Sequence, residues 1–385
     1  MAAALLRHRP CWSLADLAAR LREARPSLAG FRNGNRDLAA VFDLSYAALS
    51  NDQQSLFRRL GLHPDPDIDP YAAAALVDAA PDTADTLLQN LVDHNLLTES
   101  PPGRYRIHDL IFTHVRTVAA TDAEPEREAA LSRLLDYYQH SALRANALVA
   151  SVPWPELRAT APRHARTLLD QHTAQAWLRA ERANLDAAFD HARRQGPTPR
   201  VVALAAGLAQ IMLTHGPGTR ALDVHEAGAQ AAARLGDRLG QALALAGLGG
   251  VRFLAGDHPG ADTALADASQ LYRDLGYRHS QALALAELGA VRQLTGDYKG
   301  ADDALTEASQ LYRDLGYRHG QARILAELGI VRRLAGDDSA AIDALTEALM
   351  LYRDVGDRRG WADVLTNLGL ARQETGDLPG APATR

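Results

Sequence analysis

From Ala261 the chain reads ADTALADASQLYRDLGYRHSQALALAELGAVRQLTGDYKG, and from Ala301 it reads ADDALTEASQLYRDLGYRHGQARILAELGIVRRLAGDDSA. The two blocks agree at 28 of 40 positions with no insertion, and blocks beginning at Ala221 and Ala341 keep the same skeleton. One such unit cannot bury its apolar face alone, whereas stacked units bury a continuous one, so the period predicts a solenoid. Solenoids offer surfaces to other molecules. The first functional expectation is therefore recognition and not catalysis.

Within a unit, Gln281–Gly296 carries Ala, Leu and Val at helical spacing and closes on a glycine suited to a helix C-terminus. A second helix is expected over Ala301–Leu315, with Ala301, Ala304, Leu305, Ala308 and Leu311 as its apolar stripe. Each unit is then an αα-hairpin, helix A followed by helix B. Leu288-Gly289, the turn Gly296-Asp297-Tyr298, and the small-large-small series Ala301, Leu305, Ala308 resemble a tetratricopeptide repeat. Leu-Gly recurs at Leu248-Gly249, Leu328-Gly329 and Leu368-Gly369. The common unit has about 34 residues, and here arginine replaces an aromatic at Arg252, Arg292, Arg332 and Arg372. The longer period also admits a HEAT or armadillo reading. The extra residues are expected to lengthen helix B and its following turn, Leu275-Gly276-Tyr277.

Arginine recurs twice per unit, in the helix A series just named and in Arg238, Arg278, Arg318 and Arg358 between helices. A strict repeat stacks both into ladders. They either present a surface for carboxylates and phosphates or pair with Glu287, Glu327, Asp274, Asp314 and Asp354 as solvated ion pairs. Arg252, Glu287, Arg292, Glu327, Arg332 and Arg372 are the candidate groove residues, and the expected partner is a protein or peptide on the concave face.

Composition narrows the remaining classes. The single cysteine, Cys11, rules out an internal disulfide, and no Cys/His cluster has metal-ligand spacing, which suits a reducing, cytoplasmic setting. No run of about 18 apolar residues could span a membrane. Lys299 is the only lysine and lies between repeat helices, so this sequence holds no Walker A loop. Residues 221–385 hold 17 basic and 23 acidic side chains, which is no nucleic-acid footprint. No nucleophile elbow or zinc-protease pair appears, so no catalytic residue is assigned.

Upstream of the array, Leu38–Leu49 has a helical pattern, and Ser50-Asn51-Asp52-Gln53 gives a capping-box-like start to a helix over Gln54–Leu60. Further helices are expected at about Tyr71–Asp78 and Thr83–His94. A β-hairpin follows, Asn95–Ser100 with Arg104–Ile107 around Pro101-Pro102-Gly103. Three helices and a hairpin outline a winged helix.

The runs Leu44-Ser45-Tyr46, Leu56–Leu62, Leu91–Leu97 and Tyr105–Leu110 resemble the winged-helix segment of NB-ARC/STAND regulators. They look most like the antibiotic-regulator (AfsR/SARP-like) branch, in which tetratricopeptide repeats follow. Ala176-Trp177-Leu178, Glu181 and Asn184-Leu185 fit the same lineage. The resemblance implies an all-α chain with a small β-hairpin wing. Its expected parts are the end of a helical (ARC-type) subdomain at 1–29, a winged-helix module at 30–120, a helical linker at 121–200 and the repeat array at 201–385. The apolar run from Val201 is read as a degenerate first helix A.

In that family a Met-His-Asp triplet, here Ile107-His108-Asp109, touches the β-phosphate of ADP held mainly by a P-loop domain. The resemblance therefore implies His108 and Asp109 as nucleotide-sensing residues in a regulator, with ADP or ATP expected only where such a domain is supplied and no cofactor for this chain alone. Direct DNA binding by Thr83–His94 is the weaker alternative, because Asp82–His94 holds Asp82, Asp85 and Asp93 and no Arg or Lys. The last unit closes at Gly380 with no capping helix after it, so the array is expected either to continue in a longer relative or to pair with a partner, a second copy included.

Overall fold

The computed structural model describes residue 13 and residues 45–150, 161–196, 198–214 and 218–374. The expected helical subdomain at 1–29 and the chain end at Gly380 lie outside them, as does the helix of 38–49 apart from its helical turn at 45–47. Two compact units emerge, one of residues 1–145 and 158–191, the other of residues 146–157 and 192–385. The segment expected as a helical linker is thus divided between them.

In the first unit, helix α1 (Asn51–Leu60) starts on a complete capping box between Ser50 and Gln53, as the sequence predicts. Strand β1 (Asp67–Ile68) precedes α2 (Pro70–Val77) and α3 (Pro81–Asp93), and the wing follows as β2 (Leu97–Glu99) and β3 (Tyr105–Ile107). The sheet has three strands in the order β1-β3-β2, both pairings antiparallel. Strand β1 departs from the two-stranded expectation. Two residues inside Pro-Asp-Pro-Asp-Ile-Asp-Pro carry no alternating pattern, and only pairing with Arg106 and Tyr105 makes them a strand.

Helices α4 (Asp109–Ala119), α5 (Glu124–Val149), α6 (Gln171–Ala180) and α7 (Arg182–Arg194) follow. The Trp-x-x-x-Glu-x-x-Asn motif has a physical role here. Glu181 and Asn184 are buried at the junction of α6 and α7, and the Arg104 guanidinium on the wing donates to both Glu181 and Asp67. Asn184 Nδ2 donates to Glu181 Oε2 at 2.6 Å and to the Asp67 carbonyl at 3.1 Å. Tyr138 links this cluster to buried His63, whose Nε2 lies 2.7 Å from the tyrosine hydroxyl. Burial, with Asp69 nearby, pushes the Glu181 carboxyl up to about 7 against the pull of Arg104 and Asn184.

The second unit begins with α8 (Pro199–Thr214), buried almost all round from Val201 to Met212. Then come α9 (Thr219–Leu235), α10 (Arg238–Leu254), α11 (His258–Leu275), α12 (Arg278–Thr295), α13 (Tyr298–Asp314), α14 (Arg318–Leu334), α15 (Asp338–Val355) and α16 (Arg358–Glu374). Even-numbered helices are the A helices and odd-numbered ones the B helices. Left-handed glycines stand at 236, 256, 276, 296, 316, 336 and 356, so the chain turns every 20 residues. At Gly296, with φ 81°, the turn is a Schellman motif: Asp297 N–H donates to the Arg292 carbonyl at 2.9 Å and Gly296 N–H to that of Gln293 at 3.2 Å. Asp297 then caps the next helix by accepting from Gly300 N–H at 3.0 Å.

The extra residues of the long unit lengthen both helices, to 18 residues in α12 and 17 in α13, and not helix B alone. Helix A also starts earlier than its apolar pattern shows, because Arg278 and His279 form a polar first turn. The Leu-Gly pair fixes the hairpin's closeness. A Cβ on Gly289 would stand 2.7 Å from Leu305 Cγ, and Gly249 and Gly329 face Leu265 and Leu345 in the same way.

Candidate interaction surface of the repeat array

Successive A helices lie against one another along the array more closely than successive B helices do, so the A helices line its inner face. On α12 the residues left open toward that face are Leu283, Glu287, Ala290 and Leu294, each three or four positions after the last. The corresponding residues of α14 are Arg323, Glu327, Ile330 and Leu334; on α10 the matching positions are Leu243, Gly247, Gly250 and Leu254, of which Leu243 and Gly247 are buried and Gly250 and Leu254 are open. Leu254, Leu294 and Leu334 form an exposed row at 50%, 63% and 42% of their full accessibility. Glu287 and Glu327 form a second row two helical turns away.

The predicted groove arginines divide from the glutamates. Arg292 lies about 140° round α12 from Glu287 at 100° per residue. Its Nε donates to Asp262 at 2.7 Å and its Nη1 to the Gly300 carbonyl at 3.3 Å. Arg332 meets Asp302 at 2.7 Å, and Arg252 meets Glu226 at 2.8 Å and the Gly260 carbonyl at 3.3 Å. These arginines tie helix A to the preceding helix B and to the turn ahead. Arg372 holds the equivalent position in α16. The second series pairs as expected, Arg238 with Asp274 at 2.6 Å, Arg278 with Asp314 at 2.5 Å and Arg318 with Asp354 at 3.8 Å. Among the described residues no bond joins Arg252, Arg292 or Arg332, or Arg238, Arg278 or Arg318, to Glu287 or Glu327. Helix rotation turns the two glutamates toward the inner face, away from both ladders.

Glu327 is instead held by Arg323 at 2.7 Å, one helical turn away on α14. Glu287 makes no hydrogen bond or contact ion pair among the described residues. It meets water, yet protein flanks it from several helices, with its Oε2 4.0 Å from where a Cβ on Gly250 would stand. That desolvation pushes the Glu287 carboxyl up to about 7, opposed by Arg323. Burial, and then Glu287, pushes the Tyr272 hydroxyl up, and burial likewise pushes the Tyr312 hydroxyl up against the pull of Arg323.

Arg323 and the leucine row were not singled out from sequence. For Arg323 a signal was present, since 283/323 and 290/330 are among the positions where two otherwise matching blocks differ, whereas the row's leucines are the same in both blocks. His108 lies exposed between β3 and α4 and Asp109 exposed as the first residue of α4, and the His108 carbonyl accepts from Phe112 N–H at 2.9 Å. Among the described residues no group of three or more His, Cys, Asp or Glu could hold a metal, and no helix is long and apolar enough to cross a membrane.

The tetratricopeptide repeat family model matches residues 280–354, which places the 40-residue unit in that repeat class and removes the HEAT and armadillo alternatives. A protein described as regulatory protein AfsR from Streptomyces griseus is 43% identical over 150 residues, 38% of this chain and 15% of that protein. Its counterpart from Streptomyces coelicolor (strain ATCC BAA-471 / A3(2) / M145) is 42% identical over 143 residues, 36% of this chain and 14% of that protein. The matched stretch therefore spans a small part of either relative. Among solved structures, a Signal Transduction ATPase with Numerous Domains (STAND) protein with a tetratricopeptide repeat sensor, from Pyrococcus horikoshii, aligns at TM-score 0.44 and 14% identity. That alignment covers 97% of this chain and 62% of that one. BtubC (BKLC) from P. vanneervenii aligns at TM-score 0.45 and 18% identity, over 52% of this chain and 85% of that one. The relatives and the repeat match fit the resemblance to the C-terminal part of an AfsR-type regulator.

Proposed function

We propose that this chain is a non-catalytic recognition module of a STAND-type signalling or transcription regulator, whose repeat array binds a protein or peptide on the face formed by successive A helices. The observation that carries the reading is the division of labour within each unit. The Leu-Gly pair, the Ala-x-x-x-Leu series and both arginine ladders are consumed by packing and internal pairing, while Glu287, Arg323, Ala290, Ile330 and the leucine row stand open on one face. Exposed apolar residues in register, rimmed by charge, mark interaction surfaces. A photo-cross-linking side chain at Ala290 is expected to give a discrete adduct in the native host, and one at Asp303, on helix B, is not. Equal yields from both positions would discard the A-helix face.

A second reading assigns nucleotide sensing to His108 and Asp109, supported by their exposure at the start of α4 and by the AfsR-type resemblance. In it the winged helix couples partner binding to a nucleotide supplied by a P-loop domain. Titration of the chain with ADP tests it by calorimetry. Heat that disappears in His108→Ala supports a sensing site in this chain, and no heat leaves recognition alone.

A further inference from the structure

The chemistry of the inner face specifies its partner more closely, on the premise that this face binds a peptide at all. We infer that the array recognises a basic, leucine-compatible peptide segment, seating an Arg or Lys side chain on Glu287 and apolar side chains along Leu254, Leu294 and Leu334. Three observations lead there.

The first is that Glu287 is an unsatisfied acceptor. Its counterpart Glu327 has Arg323 at 2.7 Å, whereas Glu287 has no donor within bonding distance among the described residues and sits among protein atoms that strip part of its hydration. On this open face such a carboxylate is free to accept from an incoming cation or set of donors. The second is the sign of the face. Of the open positions on α12, α14 and α16, Glu287, Glu327, Asp363 and Glu374 are acidic and Arg323 alone is basic. Arg323 is already engaged by Glu327. Complementary potential across an interface selects partners and speeds their approach.

The third is room. Where α12 and α14 carry Glu287 with Ala290 and Glu327 with Ile330, α10 carries Gly247 and Gly250. Gly247 closes over the His225 ring, but at Gly250 an added Cβ would have only Leu213 and the tip of Glu287 within 4 Å. A long cationic side chain lying over Gly250 ends at the Glu287 carboxylate, its methylenes against Leu213 and its head on the acid, as Arg and Lys side chains commonly lie. The leucine row runs alongside, about two helical turns from the acid row, near 10 Å at 1.5 Å per residue. Acid and apolar rows at that separation fit a segment carrying basic and apolar residues on adjacent faces.

The groups facing Glu287 are Arg323 from α14, Tyr272 from α11 and Tyr312 from α13. None is an anion at neutral pH, so ionisation of Glu287 is opposed by desolvation and not by a neighbouring acid. A bound cation requires the ionised form. Affinity should therefore rise as pH increases through about 7, where surface carboxylates on a merely acidic patch are already ionised.

The test is selection of a random 12-residue phage-displayed library on the full chain. Enrichment of Arg and Lys spaced among Leu, Ile or Val is expected. The best synthetic peptide should lose at least tenfold in affinity in Glu287→Gln, lose little in the control Asp303→Asn, and bind more tightly at pH 8 than at pH 6. Enrichment of acidic or uncharged peptides, or basic peptides indifferent to Glu287→Gln, overturns the basic-segment assignment and leaves a peptide-binding face standing. No enrichment of any sequence overturns the peptide-binding face itself.

Discussion

His225 occupies the place in α9 that Leu265, Leu305 and Leu345 hold in later B helices, and it is buried with neither ring nitrogen hydrogen-bonded. Burial lowers its pKa to about 4, so the folded state refuses a proton that the unfolded chain accepts near 6.5. Stability is therefore full above pH 6.5 and falls as pH drops toward 4, by up to about 3 kcal/mol at 1.36 kcal/mol per unit. His225→Leu restores the repeat's own residue and should flatten that acid slope relative to the parent in urea unfolding between pH 4 and 7. A slope unchanged by the substitution would remove His225 as its source. Glycines make a second contrast. Gly289→Ala drives a Cβ to 2.7 Å from Leu305 Cγ and should cost about 1–3 kcal/mol, whereas Gly369→Ala, with nothing within 4 Å among the described residues, should gain up to about 1 kcal/mol from helix propensity. Thermal melts of the two variants should move in opposite directions. The His225 departure and the Leu-Gly pairs are visible to anyone who aligns the chain with itself. The unpaired state of Glu287 is not, because it depends on which way α12 is rotated in the stack.

Among elements, the clearest division is between contacts close in sequence and contacts distant in it. The capping box of α1 and the Gly-Asp turns of the array are local and follow from residue order alone. Strand β1 and the fastening of the wing are not local. Arg104 reaches Asp67 across 37 positions and Glu181 across 77, and no spacing rule connects them. The same limit explains the arginine ladders. Their existence follows from the repeat, while their partners, Asp262 and Asp302 at 30 positions' remove, needed the stack. The wing fastening carries a prediction at this scale. Arg104→Met leaves buried Glu181 and half-buried Asp67 without their cation and should destabilise the first unit by about 3–5 kcal/mol, because an orphaned buried charge costs more than the pair contributes. Adding Glu181→Gln removes one orphan and should restore part of the loss. A double-mutant cycle from urea unfolding measures the recovery, and strict additivity would mean that Arg104 and Glu181 are not coupled.

For the repeat array as a whole, the 20-residue spacing of the turns has a consequence that no single contact carries. Each of the B helices α11, α13 and α15 seats its central leucine on the glycine of the A helix just before it, Leu265 on Gly249, Leu305 on Gly289 and Leu345 on Gly329. Deleting residues 281–320 joins Ser280 to Gln321, residues that stand 40 positions from each other's counterparts, and every remaining leucine keeps its seat. Stability in such arrays is close to a sum over units and their interfaces, so this deletion should keep the helical signal per residue and lower Tm by no more than roughly 5 °C. Deleting residues 281–300 is only half as large and should do more harm. It places the helix of Ala301–Asp314 directly after α11, so that Leu305 meets another B helix with no glycine to receive it, and the inner face changes sides from there onward. Circular dichroism and thermal melting of the two deletions should therefore rank the larger one as the milder. The reverse ranking would mean that the array tolerates a helix out of phase, which close packing at the glycine seats forbids.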